Sequence, residues 1–457
     1  MRTSRTAVTA LVAVITLMTA ACVAPGGGTT TTTSTTTSTT VPDDPSGVYV
    51  ATTGTDTGDC RASATPCQTV QYAVSQAVAG NTVYVAAGTY PEVVLVNIPL
   101  TFHGANFGVA GTATRGAESV VQGFRNPGNP GTTSIDVTID GFRIDPQGDA
   151  ALTAATAQPL VWLRGGTDVT VRNNVFSGGA FVPDCSYNCT TMADYAFTVQ
   201  SGTASFDHNL VENFRRPVNI NQPVGAPATS ATVADNTFTG ITSRAVSIAG
   251  STGVQMGGQT VSGNVVDATG ITAPSSPAGV TVSNHGNTIS GNSFTALSSG
   301  VYVDVCKKFN TDGNAITGNT FTGNSMGVNI NVNSDGGQCV SSATEGSGGW
   351  VVGAGKLEGM SITGNDFVGN TTAAIRIGTY NWGYWNAAHP TLTTGPIDAS
   401  CNWWNSAAGP STVTVNYGDT LTPAADQLVD SGTPSPLAAT ATPWLTAPAP
   451  GGACDGS

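Results

Sequence analysis

From residue 171 onward one six-residue phrase recurs: an apolar residue, two polar or small residues, Asn, one free position and Phe. It reads Val171 to Phe176, Val233 to Phe238, Ile289 to Phe294, Ile316 to Phe321 and Ile362 to Phe367, with the amide at Asn174, Asn236, Asn292, Asn319 and Asn365. Looser copies carry Asn209, Asn264 and Asn402. Successive anchors lie 35, 27, 28, 28, 27, 46 and 37 residues apart, so the base period is 27 to 28 and the longer intervals are one repeat plus an insertion. Those insertions hold Cys185 and Cys189, then Cys339. A fixed period of this length is the mark of a stacked-repeat architecture.

A second short segment follows each Asn phrase and places one polar residue between two apolar ones. The polar positions are Thr198, Asn219, Ser247, Thr281, Tyr302, Asn329 and Arg376, with Trp162 preceding them. In a strand this alternation sends the apolar pair inward and the polar residue outward. Two residues on, Arg164, Gln200, Asn221, Ser283, Asp304 and Asn331 form a parallel column. Several short strands per 27-residue turn, punctuated by Gly and Asn, predict an all-β chain wound as a right-handed parallel β-helix. Its coils would stack at about 4.8 Å. The anchor Asn residues are then an internal amide ladder with a structural role. A propeller blade needs more residues per repeat, and a sandwich would not repeat one Asn-centred phrase.

The ends fit a solenoid with closed caps. Residues 69 to 79 place Val70, Ala73, Val74, Ala77 and Val78 on one helical face, as expected of a helix that plugs the first coil. The opening Val48-Tyr-Val, Cys60, Cys67 and Asn81 to Glu92 resembles that of secreted right-handed β-helix proteins of the pectate-lyase-like superfamily. Cys401-Asn402-Trp403-Trp404-Asn405 with Gly409-Pro410, and Pro443-Trp444-Leu445, resemble their closing motif. The resemblance covers roughly residues 47 to 446 and identifies the chain as an actinobacterial-type member. It specifies fold more than activity.

Composition adds compartment and partner. Charged residues are 9% of 457, Gly numbers 57, and the net charge of −13 would repel polyphosphate, which excludes nucleic acid as a partner. Arg2 and Arg5 precede an apolar run from Ala7 to Ala21 that is too short to span a bilayer and suits a signal segment. The following Thr19-Ala-Ala-Cys22 resembles a bacterial lipoprotein signal, which implies lipidation of Cys22. Cleavage near Ala21 or Ala24 with free secretion is the open alternative. The organisation expected is a signal peptide over 1–21, a Thr/Ser-rich leash over 22–46, the β-helix over 47–446 and a tail over 447–457. Setting Cys22 aside leaves eight cysteines, an even set in an exported chain, which implies disulfides. The close spacings pair Cys60 with Cys67 and Cys185 with Cys189; Cys306 with Cys339 and Cys401 with Cys454 follow by elimination. Zinc is disfavoured because the close pairs have no His nearby.

Function is less legible. A row of amides, hydroxyls and aromatics at coil spacing suits an extended sugar chain, although a solvated face would use the same residue types. Arg216 and Arg244 follow their anchors by seven and eight residues, which puts both at the turn entering the same strand on adjacent coils. With Tyr302, Asp304, Asn329 and Arg376 they make the candidate binding residues, joined by Trp382 and Trp385 in an aromatic insertion that also holds Tyr380 and Tyr384. The superfamily resemblance implies two catalytic designs. One holds Ca²⁺ with clustered carboxylates and uses a basic residue as base; the other uses paired Asp with Gly-His-Gly. Neither constellation is present, and Asn284-His285-Gly286 lacks the acids it would need. No catalytic residue is therefore assigned. Asn329 to Gly336 has oxygen ligands at alternate positions but lacks the opening Asp and the closing Glu of a Ca²⁺ loop, so no metal or cofactor is expected. The leading expectation is a cell-surface or secreted protein that binds polysaccharide along the repeated-strand face. A lyase or hydrolase of acidic glycans, and a structural or adhesive surface spacer, are the alternatives.

Overall fold

The computed structural model describes residues 44–126, 135–153, 158–164, 166–185, 190–223, 226, 228–249, 256–272, 275–305, 311–332, 359–379, 397–410, 412–414, 428–430, 439–449 and 452–456. Short parallel strands stack into a sheet of 13 and a sheet of 20 among the described residues. The first runs from Gly47–Val50 through Thr82–Val85, Leu100–His103 and Ile135–Asp140 to Ala439–Thr440. The second separates by register into two stacks. One holds the strands after each anchor Asn, such as Val175–Ser177, Leu210–Glu212 and Thr237–Thr239. The other holds Phe197–Val199, Val218–Ile220, Arg244–Ile248, Ala278–Val282, Ser299–Val305, Met326–Val332 and Ala373–Thr379. The chain is a right-handed parallel β-helix, the hand in which parallel strands are almost always connected.

The amide ladder explains why the coils hold register. Asn174, Asn209, Asn236, Asn264, Asn292, Asn319, Asn365 and Asn402 are linked side chain to side chain without a break. From Asn209 on, each Oδ1 also accepts the backbone N–H of the preceding coil's Asn, as Asn264 does from Asn236 at 3.0 Å, and the Asn174 Oδ1 accepts that of Phe142. The residue before the anchor is left-handed, Gly at 263, 291, 318 and 364 and non-Gly at Asn173, His208, Asp235 and Cys401. That turn aims the amide inward, where all eight are buried. A second amide ladder, Gln259 to Asn287 to Asn314, lines another turn.

Inside, Phe294, Phe321, Phe367 and Trp404 stack on successive coils at 5.2, 5.0 and 5.3 Å. The glycine at 300 is required because a Cβ there would sit 2.3 Å from the Phe321 ring.

The helix that closes the first coil is shorter than its periodicity predicts. It spans Val70–Gln76, buries Val70, Ala73 and Val74, and ends in an extended Ala77. Val78 leaves the helical face and is exposed, because its N–H is taken by Asn81 Oδ1 in the following turn. Glu92 accepts the N–H groups of Val70 and Gln71, which fixes the start.

Cys60 is bonded to Cys67 and Cys401 to Cys454, as the spacing and elimination indicate, and Cys185 is also disulfide-bonded. Cys22, Cys189, Cys306 and Cys339 lie outside the described residues. Disulfides of this kind belong to an exported protein. Residues 454–456 fold back, with Cys454–Gly456 antiparallel to Trp444–Leu445.

Candidate functional site

The outward polar residues of the repeated strand form one continuous column. Register pairs Arg125 with Trp162, then Thr198, Asn219, Ser247, Thr281, Tyr302, Asn329 and Arg376 in turn. Eight steps at about 4.8 Å give a row of about 38 Å. It differs from a solvated face in one respect: Thr198, Ser247, Thr281 and Asn329 are each no more than 7% exposed. Their neighbours close these four positions off from solvent, so the column is recessed at them, while Trp162, Asn219, Tyr302 and Arg376 stay partly exposed. The Thr198 hydroxyl is buried there with no hydrogen-bond partner among the described residues.

Arginines gather along this row. Ten arginines follow residue 44, and six of them, Arg125, Arg164, Arg215, Arg216, Arg244 and Arg376, sit on the column, beside it or at its entering turn. In a chain of net charge −13 that is a strong local reversal of sign. At one end Arg164 lies 4.7 Å over the Trp162 ring, and both donate to Gln200 Oε1. At the other, Arg376 donates to Asn329 and Asn331 to the Tyr302 hydroxyl, at 3.3 and 2.8 Å. Burial pulls the Arg376 guanidinium below its ordinary pKa, with Tyr302 acting the other way.

The middle of the row holds the most charged corner. Asp194 accepts from Arg215 through two nitrogens and from Arg216 Nη2 at 2.7 Å, all with little solvent exposure for Asp194 and Arg215. Burial alone would raise the Asp194 pKa, but the hydrogen bonds and charges of the two arginines hold it below the ordinary carboxylate value. Arg216 also lies 4.7 Å over the Tyr195 ring, while its Nε is buried with no partner among the described residues. Arg244 stands one coil further on, since Val246 pairs with Val218. Its backbone N–H donates to the Arg215 carbonyl at 3.2 Å, but its partly buried guanidinium forms no hydrogen bond or ion pair among the described residues. Burial first, then the Arg216 charge, depresses its pKa, opposed by Tyr195 and Asp304. Two guanidiniums with spare donors, one at the turn entering Val218–Ile220 and the other at the start of Arg244–Ile248 on the next coil, form a place where an oxyanion would gain charge-assisted hydrogen bonds.

Those candidate residues that lie among the described residues fall on one face. Tyr302, Asp304, Asn329 and Arg376 are neighbours on three successive coils, with Asp304 opposite Asn331. Arg216 and Arg244 occupy the adjacent coils expected, yet Arg216 is already paired with Asp194. Trp382, Trp385, Tyr380, Tyr384 and the stretch from Asn333 lie outside the described residues. Asn284 beside His285 serves the turn, its Oδ1 accepting the Met256 N–H at 3.1 Å. Sequence reasoning missed Asp194, Tyr195 and Arg125. The first two lie in an insertion without repeat register. Arg125 precedes the first Asn phrase, though its alternating strand Ser119–Asn126 carried the signal.

Residues 52–276 match the model of a family described as a protein of unknown function, DUF1565. No curated protein matches the sequence. Among solved structures, the complex of XylC with xylose is similar at 12% identity and a TM-score of 0.42, covering 78% of this chain and 69% of that one. The A-module of the Azotobacter vinelandii mannuronan C-5 epimerase AlgE6 is similar at 16% and 0.38, covering 81% and 94%. A tailspike protein variant of E. coli bacteriophage HK620 in complex with a hexasaccharide is similar at 12% and 0.35, covering 70% of each chain.

Proposed function

We propose that this chain binds an acidic polysaccharide laid along the recessed column, with Arg216 and Arg244 holding its acidic groups near the middle and Arg376 further along. The observation that carries this reading is Arg244: a partly buried guanidinium beside a second arginine, without an acceptor among the described residues, on a chain that is otherwise acidic. Burying an arginine without an acceptor is costly, and a ligand carboxylate or sulfate removes that cost. Polar floor residues at a regular spacing suit the hydroxyls of successive sugar units, and Trp162 and Tyr302 offer ring faces or edges for the apolar sides. A polyphosphate is disfavoured by the overall charge.

The test is binding of paired acidic and neutral oligosaccharides to wild type and Arg244→Ala. Loss of one charge-assisted interaction, worth roughly 1.5–3 kcal/mol, weakens the acidic ligand about tenfold or more and leaves a neutral one nearly unchanged. Added salt should reproduce the loss in the wild type. Equal affinity of both proteins for every acidic ligand bound removes Arg244 from the site.

A further inference from the structure

A separate feature lies on the outer face of the 13-stranded sheet, at its first three coils. Tyr49, Tyr84 and His103 stand in register on successive strands. The tyrosine rings stack at 5.3 Å, His103 meets Tyr84 edge-on at 5.4 Å, and Phe107 lies parallel to His103 at 4.5 Å. Across from them the loop closed by Cys60–Cys67 brings up Pro66 and Ser63, and a cavity of about 240 Å³ lies between.

Both walls are fixed. Cys67 exchanges backbone hydrogen bonds with Tyr49 and Ala51 at 2.9 Å each. Asp44 takes up both phenol oxygens, its N–H donating to Tyr49 and its carboxylate accepting from Tyr84, so ring carbons rather than hydroxyls are left to line the space. The same outward column continues as Asp140, Arg172, Asp207, Ala234, Ser262 and Ser290. Aromatics therefore stand only where the disulfide loop faces them. They add nothing to the core, and Phe107 is 51% exposed.

We propose that this cavity binds a single ring of a neutral sugar, independently of the acidic-glycan column. Its volume suits one ring rather than a chain. Aromatic and proline carbons on opposed sides suit the apolar C–H faces of a pyranose, whose hydroxyls then point to the open rim. Arg172 is paired with Asp140 at 2.9 Å, and Asp44, hydrogen-bonded by Tyr84 and Ser46, adds a negative charge beside the cavity. Nothing there favours an acidic sugar. His103 Nδ1 is buried without a partner among the described residues, so His103 joins the cavity wall through its ring, stacked on Phe107, and not as a hydrogen-bonding group. Burial lowers the His103 pKa, which keeps the imidazole neutral near pH 7.

The test uses protein with isotope-labelled histidine and methyl glycosides of glucose, galactose, mannose and xylose as probes, with cyclohexanol as a ring that lacks the hydroxyl rim. At least one glycoside should shift the His103 signal in a saturable way at millimolar concentration and leave His208 and His285 unmoved. In Phe107→Ala, an exposed turn substitution that spares the fold, the apparent affinity should fall about tenfold. Arg244→Ala should bind as the wild type does. Absence of any saturable His103 shift, a tighter response to cyclohexanol than to every glycoside, or unchanged affinity in Phe107→Ala overturns the proposal.

Discussion

Asn264→Ala is expected to lower the unfolding free energy by about 3 kcal/mol or more. The amide makes five bonds at once. Its Oδ1 accepts from the backbone N–H and Nδ2 of Asn236, and its Nδ2 donates to Val233, Ser262 and Asn292. All of this occurs in a site closed to water, where each orphaned group costs roughly 1–3 kcal/mol. Alanine orphans the Asn236 N–H and the Val233 carbonyl and adds a small void. Urea unfolding of the variant beside Val265→Ala checks the claim, since Val265 is exposed and its truncation should stay within about 0.5 kcal/mol. Equal costs for the two would show that the ladder does not hold the coils.

The second large effect is at Asp194. Removing its carboxylate as Asp194→Ala takes away the counter-charge that the buried Arg215 and half-buried Arg216 share, a change that costs about 3–5 kcal/mol in comparable buried pairs. The same group makes the fold acid-sensitive. Its folded pKa lies below the ordinary 3.8, so its contribution is complete above that value and is lost as pH falls through the depressed folded value. Unfolding midpoints measured from neutral pH downward should therefore drop more steeply below about pH 4 in the wild type than in the variant. Parallel curves would mean that Asp194 titrates as it does in the unfolded chain.

These two residues mark what was legible in the sequence. Asn264 was, because a rigid 27- to 28-residue period fixes its register, and the same period puts seven outward residues in one column. The second ladder was equally accessible, since Gln259, Asn287 and Asn314 lie 28 and 27 residues apart, but its members differ in residue type and are easily passed over. Asp194 was not legible. It lies in an insertion, where no period applies and only the fold brings it to Arg215. Burial of Thr198 and Ser247 was hidden for a related reason, because alternation reports which way a side chain points and not what rises beside it. The helix end was misread where Asn81, a local side-chain acceptor, captured the Val78 N–H and outweighed apolar periodicity.

The central claim, that an acidic glycan lies in the recess along the column, is tested most directly by hydrogen exchange with and without a bound acidic oligosaccharide. Protection is expected in peptides covering Tyr195 to Asn221, Arg244–Ile248, Ser299–Val305 and Met326–Val332, with the 13-stranded sheet unchanged. Protection confined to the outer face of that sheet, with none along the column, would contradict it.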